Sequence, residues 1–301
     1  MNPAACDGLL VLDKPGGVTS RDAVNAALRW FPRGTRMGHT GTLDPLATGV
    51  LVLCLGAATR LTEYVQRMGK TYRAGVRLGA RSDTDDADGV ITAVDAAAPD
   101  ASAVTACLTG FIGEIEQTPP AYSAAKVAGR RAYDLARRGQ DVDLRPRRVH
   151  VYGIDVLRYD YPQLDLEVRC GKGTYIRSLA RDLGARLGCG ALIQTLRRTR
   201  VGPFTADDAV PMDADAATAQ ARLRPVEEAV AELPRVVLSN EMTRRLCQGQ
   251  AVPCDELGAD VEGVIAVHTA AGRLAATAVY DPVRRLLRPD KVLSSGVSRP
   301  T

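Results

Sequence analysis

The sequence is organised around a glycine-rich segment at residues 38–49, GHTGTLDPLATG. Three glycines in twelve residues, with Asp44 as the only acid among them, predict a turn-rich loop. Pro45 disfavours helical geometry for the residue before it, so Asp44 should be held in an extended conformation. The loop leads into the apolar run VLVLCL at 50–55, which has the length of a buried strand. We therefore expect a rigid corner beside the core, with Asp44 as the candidate reactive group.

Apolar segments with strand or helix spacing alternate along the rest of the chain. The pattern predicts strands over 9–12, 50–55, 70–78, 149–159, 164–170 and 192–204, and helices over 19–28, 59–68, 103–111 and 175–187. Residues 206–231 are rich in alanine and aspartate and predict a linker with helical pieces. A compact tail follows, with short strands at 236–238, 264–267 and 275–280 and a helix at 240–247. The chain is therefore expected to have an α+β fold, with one unit at 1–230 and a smaller one at 231–301.

The basic residues are mostly arginine, since only five of the 39 are lysine. Arginine matches phosphate oxygens and stacks on bases, which favours a nucleic-acid partner, although a GC-rich coding sequence would produce the same bias. The densest cluster lies at 126–148, where eight basic residues face three acids and Tyr122 and Tyr133 lie close by. That combination suits contact with phosphates and bases, and a solvated basic face is the alternative.

The polar residues of the chain do not form a metal-binding pattern. The seven cysteines have no CxxC spacing and the three histidines stand apart, which argues against a zinc site or a disulfide framework. The acids of 82–89 do not fit a calcium loop, and the GKGT at 171–174 does not fit a nucleotide-triphosphate loop. The N-terminus does not have the pattern of a signal peptide, and no apolar run reaches membrane-spanning length, so we expect a cytoplasmic protein without a membrane partner.

Three interpretations of Asp44 remain open from the residues alone. The carboxylate could cap the turn formed by residues 45–47 and have no other role. It could belong to a glycosidase, although such enzymes normally need a second carboxylate, and none lies in the other glycine-rich segments. It could also act alone on a nucleic-acid base.

Several blocks of the sequence resemble those of a known family. The segment 38–49 resembles the signature loop of the TruB family of pseudouridine synthases. The resemblance continues, in the family's order, through Leu12-Asp13-Lys14-Pro15, Lys70-Thr71-Tyr72, Tyr122-Ser123-Ala124-Ala125-Lys126, Lys172-Gly173-Thr174-Tyr175-Ile176-Arg177 and Leu196-Arg197-Arg198. These blocks cover about residues 8–204, and their order makes the resemblance much more specific than one short motif.

The resemblance implies the pseudouridine synthase fold, a mixed and largely antiparallel central sheet with flanking helices. It implies that the T-loop uridine at position 55 of tRNA is flipped out and isomerised to pseudouridine. Residues 231–301 would form a small β-rich, PUA-like RNA-binding domain. The T-arm stem-loop of tRNA would be the partner, and neither a metal, a cofactor nor an obligate protein partner is implied.

The resemblance also assigns residues. Asp44 would be the essential catalytic carboxylate, acting as a nucleophile or through a glycal route, and Arg177 would pair with it. Tyr72 would stack on the uracil, Leu196 would pack against it, and His39 would fill the gap that the flipped nucleotide leaves. The substrate-binding residues implied by the matched blocks are His39, Tyr72, Tyr175, Arg177, Leu196 and Lys126.

Other roles for these residues are open from the sequence. Arg177 could pair with Asp182 on a helix surface, and Tyr72 could be an ordinary core residue of a strand. Lys14 is expected to buttress the loop rather than to touch substrate. An RNA-binding protein or tRNA folding chaperone with little or no catalysis is the alternative function.

Overall fold

The structure, a computed structural model, describes residues 6–123, 144–258 and 260–293, together with the backbone of 126–127 and 130–131. The described strands are β1 (Gly8–Lys14), β2 (Met37–His39), β3 (Thr48–Leu55), β4 (Lys70–Leu78), β5 (Ala80–Ser82), β6 (Ile91–Ala93), β7 (Gly113–Gln117), β8 (Lys126–Val127), β9 (Arg130–Arg131), β10 (Arg147–Asp160), β11 (Gln163–Cys170), β12 (Ala191–Val201), β13 (Phe204–Thr205), β14 (Val210–Pro211), β15 (Arg235–Leu238), β16 (Val252–Pro253), β17 (Gly263–Thr269), β18 (Leu274–Asp281) and β19 (Leu286–Val292). The described α-helices are α1 (Ser20–Ala27), α2 (Thr62–Arg67), α3 (Ala101–Thr109), α4 (Ile176–Arg186), α5 (Ala216–Ala221) and α6 (Asn240–Cys247).

The central sheet has ten strands. Their order is β14-β1-β3-β12-β4-β11-β10-β7, with β2 paired to β3 and β13 paired to β12. The pairs β1–β14 and β3–β12 are parallel, and the other pairs are antiparallel. The expected mixed, largely antiparallel sheet is therefore confirmed. Because β3 and β12 are neighbours, the loop before β3 lies beside the middle of β12.

The two central strands β1 and β3 are buried on both faces, which is why their sequences are nearly continuous apolar runs. On one face, Leu12 and Leu53 belong to a core that includes apolar residues of α1, α3 and α4. On the other face, Val11 and Val52 belong to a second core with Leu61 and residues from α2. Two of these helices begin at polar caps: Thr19 forms a capping box with α1, and Asp100 accepts a hydrogen bond from the backbone of α3.

The smaller sheet, in the order β15-β17-β18-β19-β16, encloses a core of its own around Leu246 and Ile265. It is joined to the central unit through α2. The Tyr64 hydroxyl lies 3.0 Å from the Thr277 hydroxyl and donates to Asp290 at 2.7 Å. Because Thr277 is fully buried, this polar contact is shielded from water.

Two predicted elements differ from the structure at their ends. The helix expected over 59–68 is a short 3-10 helix, Gly56–Leu61, followed by α2. Thr59 and Thr62 each donate a side-chain hydrogen bond to a carbonyl three residues earlier, which competes with regular helical bonding. The strand expected over 192–204 is divided at Gly202, whose φ of 50° forms a turn.

Among the described residues, none of the helices is both long enough and apolar enough to cross a membrane.

The loop before β3 depends on one glycine. Gly49 has a φ of 98°, and a Cβ there would lie 2.2 Å from the Arg198 carbonyl oxygen. We expect Gly49→Ala to lower the free energy of unfolding by about 1–3 kcal/mol or more. At Gly49 an alanine would combine a left-handed backbone with a clash against a neighbouring strand. Chemical denaturation measures the loss. Gly38→Ala is the matched control, since a Cβ at Gly38 meets nothing within 4 Å. Equal losses in the two variants would contradict the expectation.

Candidate active site

The loop that carries Asp44 is clamped from three sides. The buried Lys14 ammonium donates to the carbonyls of Pro15 and Val18, both at 2.8 Å, and to that of Pro45 at 3.3 Å. From α1, the Ser20 hydroxyl bonds both the N–H and the C=O of Leu43. Lys14 is therefore a buttress, as the sequence predicted, and the backbone on either side of Asp44 is fixed.

A third clamp comes from β12. Arg198, 2% exposed, donates from Nε to the Val50 carbonyl at 2.7 Å and from a terminal nitrogen to the Gly41 carbonyl at 3.1 Å. A charge so deeply buried needs hydrogen-bonding partners, and the loop carbonyls supply them. The loop and β12 are thus locked in register.

Arg177, in the first turn of α4, joins two carboxylates. Its NH2 lies 2.9 Å from Asp44 Oδ2, and its NH1 lies 3.1 Å from Asp86 Oδ2. The same nitrogens donate to the carbonyls of Tyr122 and Thr84, both at 2.8 Å. The Arg177 side chain is 4% exposed, so the planar guanidinium is held rigidly between four acceptors.

The start of α4 is held in place by β7. The side-chain carbonyl of Gln117 accepts from the Tyr175 N–H at 2.7 Å, and its amide donates to the Tyr175 carbonyl at 3.0 Å. Gln117 is 1% exposed. It takes the place of the side-chain cap that α4 otherwise does not have, and it fixes where Arg177 enters the site.

The second carboxylate, Asp86, comes from the turn after β5. Its other oxygen accepts from the Thr84 hydroxyl at 2.6 Å and from the Asp88 N–H at 3.1 Å. The preceding residue, Asp85, has a φ of 61° and pairs at 2.9 Å with Arg181, one turn after Arg177 on α4. Two consecutive arginine–aspartate pairs therefore attach this acidic turn to the helix.

A cavity of about 250 Å³ opens above Asp44. The side chain of Asp44 is 30% exposed and faces it, whereas that of Asp86 is 5% exposed and is absent from its lining. The lining residues are Thr40–Asp44, Ala47, Gln66, Lys70, Tyr72, Arg147, Gly171–Arg177, Leu196 and Arg198. Of the described carboxylates, Asp44 alone lines this cavity.

The walls of the cavity suit a flat ring. Tyr72 of β4 and Leu196 of β12 are 8% and 7% exposed and line it together with Ile176. At the rim, the Arg147 guanidinium lies 4.6 Å from the centre of the Tyr175 ring. Burial raises the pKa of the Tyr72 hydroxyl, so this wall presents a neutral phenol near pH 7.

Burial shifts the pKa values of Asp44 and of two lysines in or beside the site. Loss of water raises the pKa of the Asp44 carboxyl, the Arg177 guanidinium opposes that rise, and the negative Asp86 adds to it. Burial also lowers the pKa of Lys14 to about 8 and that of Lys70 to about 8. A carboxyl whose pKa is raised, beside lysines whose pKa values are lowered, is a pattern found at reactive sites.

The structure brings most of the sequence-predicted site residues together. Asp44, Tyr72, Tyr175, Arg177 and Leu196 line one cavity. His39 is half-buried at the end of β2, directly before the lining residue Thr40. The side chain of Lys126 lies outside the described residues, as do residues 132–143 of the basic cluster.

Two interpretations of the sequence need correction. Arg177 does not pair with Asp182, because Arg181 takes that partner at 2.9 Å. The acidic segment 82–89, which the sequence suggests to be an ordinary turn, also supplies Asp86, the second carboxylate bound to Arg177. The buried cations Lys70 and Arg198 were also missed. The run of acids was the only signal for Asp86, and nothing in it indicates a partner on α4.

The donor set does not favour metal chemistry or hydrolysis. Within the described ranges, no group of three or more His, Cys, Asp or Glu side chains could hold a metal ion. A glycosidase would need two carboxylates facing the same bond, but Asp86 is turned away and bound to Arg177. The arrangement therefore suits a reaction in which one carboxylate acts on a ring held against Tyr72.

Comparison with family models gives two matches. Residues 29–176 match the N-terminal domain of the TruB family of pseudouridylate synthases, and residues 177–241 match the C-terminal domain of tRNA pseudouridylate synthase B. A Chromohalobacter salexigens protein named tRNA pseudouridine synthase B is 43% identical over 297 residues, 96% of each chain. A Burkholderia mallei protein of the same name is 41% identical over 300 residues, 97% of this chain and 98% of its own.

Two solved structures are similar to this chain over most of its length. A chain in the crystal structure of a Cbf5-Nop10-Gar1 complex aligns with a TM-score of 0.74 and 26% identity, over 96% of this chain and 85% of that one. A chain in an archaeal box H/ACA sRNP Nop10-Cbf5 complex aligns with a TM-score of 0.71 and 25% identity, over 96% and 86%.

The ion pairs of Arg177 should contribute strongly to stability. We expect Arg177→Met to lower the free energy of unfolding by about 3–5 kcal/mol, because it leaves two largely buried carboxylates without their cation. Urea denaturation at neutral pH measures this. Arg169→Met is the control, since its 3.1 Å pair with Asp155 is more than half exposed on both sides and should contribute about 0–1 kcal/mol. A loss at Arg177 no larger than that at Arg169 would contradict the expectation.

Proposed function

The chain belongs to the TruB family of pseudouridylate synthases, and we propose that it isomerises the T-loop uridine of tRNA, at position 55, with Asp44 as the catalytic carboxylate. It is an isomerase that modifies tRNA. In this reaction the bond between C1′ of the ribose and N1 of uracil breaks, the base turns, and C1′ is joined to C5. The proton on C5 is released and N1 gains one, so no water is consumed.

The observation that carries the proposal is the single carboxylate facing the cavity. A reaction that keeps the base in the pocket needs no second group to activate water, and Asp86 is not placed to do so. Arg177 holds Asp44 in one orientation at 2.9 Å and favours its ionised form against the effect of burial. Asp44 can then act on the sugar, as a nucleophile or through a glycal route.

The apolar walls give the remaining roles. Tyr72 stacks on the flipped uracil and Leu196 packs against it, so the ring can rotate without leaving the cavity. Tyr175 contacts the neighbouring part of the nucleotide at the rim. Because burial keeps Tyr72 a neutral phenol, its first contribution is contact with the base rather than negative charge.

Base flipping costs a few kcal/mol, which contacts elsewhere must offset. We assign to His39 the filling of the gap in the RNA, because it directly precedes the cavity wall at Thr40. Lys126 ends a block that resembles the family's sequence, and it is assigned to substrate binding on that ground alone. The T arm, which carries the target uridine, is the part of tRNA proposed to be bound.

The division of the chain follows the same proposal. Residues 1–230 form the catalytic unit, and residues 231–301 a PUA-like unit that contacts RNA. We place the enzyme in the cytoplasm, where its tRNA substrate is, and assign it no obligate protein partner.

Substitution of Asp44 tests the catalytic role. We expect Asp44→Asn to bind unmodified tRNA within several-fold of wild type, because the shape is kept, and to form pseudouridine at least about 10²- to 10⁴-fold more slowly. Binding is measured by filter retention, and product is mapped along the transcript. Wild-type rates in Asp44→Asn would remove the residue from catalysis. Product at a position outside the T loop would overturn the substrate, and a wild-type protein that only folds tRNA would indicate the chaperone.

The pH dependence tests the electrostatics. Since the pKa of Asp44 is raised above 3.8 and the ionised form is required, kcat/KM should fall as the pH drops through a value above about 4. Asp86→Asn removes a negative charge that raises this pKa, so its acid limb should move to lower pH. The exposed Asp155→Asn should leave the limb unchanged. A shift to higher pH in Asp86→Asn would contradict this electrostatic assignment.

A further inference from the structure

Two aromatic rings lie side by side on the outer face of β10. The ring centres of His150 and Tyr152 are 4.8 Å apart and tilted by 46°. Both residues are exposed, and Tyr152 is 56% exposed. They alternate with the buried Val149 and Val151, so the strand holds both rings on its open face.

This pair lies at the edge of the candidate active site. A Cβ placed on Gly69 would lie 3.7 Å from the Tyr152 ring, and one on Gly171 would lie 3.3 Å from its hydroxyl. Gly171 lines the cavity, and the residues after these glycines, Lys70 and Lys172, line it too. The Gly171 N–H also donates to the His150 carbonyl at 2.8 Å. The aromatic pair is therefore within one residue of the cavity wall at two points.

The folded chain makes little use of the Tyr152 side chain. Among the described residues, its hydroxyl has no hydrogen-bond partner, whereas the Tyr159 hydroxyl on the same strand donates to the Pro99 carbonyl. Gly69 and Gly171 lie beneath Tyr152. Because they have no side chains, the ring approaches the backbone without forming a core. A large aromatic surface is thus left open next to the place where substrate enters.

The charges around the pair suit a polyanion. Lys172 is exposed, and no carboxylate of the described chain lies within 4 Å of its ammonium. Arg147, at the start of the same strand β10, lies over Tyr175. The nearest acid across the ladder, Glu114, is neutralised by Arg148 at 3.2 Å. An open aromatic face beside an unneutralised cation is the combination that binds unpaired bases together with their phosphates.

We propose that Tyr152, supported by His150, is a stacking platform for a second base of the substrate RNA, an unpaired nucleotide next to the one that enters the cavity. The inference rests on the proposed function, because it takes the cavity to hold a flipped base. Stacking would hold the strand at the entrance and would offset part of the cost of flipping. Stacking uses the flat face of a base, which all four bases have, so the platform accepts any of them.

The platform is tested by binding in the Asp44→Asn background, where turnover does not interfere. We expect Tyr152→Ala to raise the Kd for unmodified tRNA by about 5- to 150-fold, as expected for the loss of one stacked base. Tyr152→Phe should stay within about two-fold, and Tyr152→Leu, which keeps apolar contact with the glycines, should fail like alanine. Leu157→Ala is the matched control, a 52% exposed residue on the same strand.

A second measurement separates stacking from general damage. Stacking releases no counterions, so the slope of log Kd against log salt should be the same for Tyr152→Ala and its parent. Unchanged affinity in Tyr152→Ala, an equal loss in Leu157→Ala, or a reduced salt slope would each overturn the platform. The proposed function fails separately, if the protein with Asp44 intact binds tRNA through Tyr152 but forms no pseudouridine.

Discussion

The guanidinium of Arg177 is the interaction on which the site depends. Its two terminal nitrogens bind Asp44 and Asp86 and the carbonyls of Tyr122 and Thr84, all at 2.8–3.1 Å. These partners come from the loop that carries Asp44, the acidic turn after β5 and the segment after β7. A buried charge needs hydrogen-bonding partners, and those of the two terminal nitrogens come from three segments besides α4, so these contacts form only when the segments come together. Gln117 fixes the start of α4 and thereby places Arg177 among these partners.

The two carboxylates share one cation but not one environment. The Asp86 side chain is buried and both of its oxygens have partners, whereas Asp44 has one side open to the cavity. Asp86 holds the other end of the Arg177 guanidinium, and its negative charge acts on Asp44 in the direction opposite to that of Arg177. Burial raises the pKa of Asp44, Arg177 opposes that rise while paired with it, and Asp86 adds to the rise. A lone carboxylate that is desolvated but oriented suits an isomerisation, since no water has to enter with the base.

The parts of this arrangement that are local in sequence could be predicted from it. The apolar runs of β1 and β3, the turn-rich loop and the position of Asp44 follow from residue types a few positions apart. Asp86 could not be found in that way, because its partner is on α4 and the acids around it look like those of any solvated turn. The burial of Lys70 and Lys14 was also beyond local pattern, although the contact of Lys14 with the loop was expected. Each is a lysine at the end of a strand, where exposure is expected, and each is buried because backbone carbonyls of a nearby turn surround its ammonium.

The net charge of +4 is a poor guide to how this protein would hold RNA. On the outer face of the sheet, Arg148, Arg158 and Arg169 each pair with an acid at 3.0–3.2 Å. Lys14, Lys70, Arg177 and Arg198 are buried and committed to the loop or the cavity. Near the entrance, few cations of the described surface are therefore free to meet phosphates. Lys172 is one of these free cations. Flat apolar contact can add to affinity at the entrance, and among the described residues the open ring of Tyr152 is a surface there that can supply it.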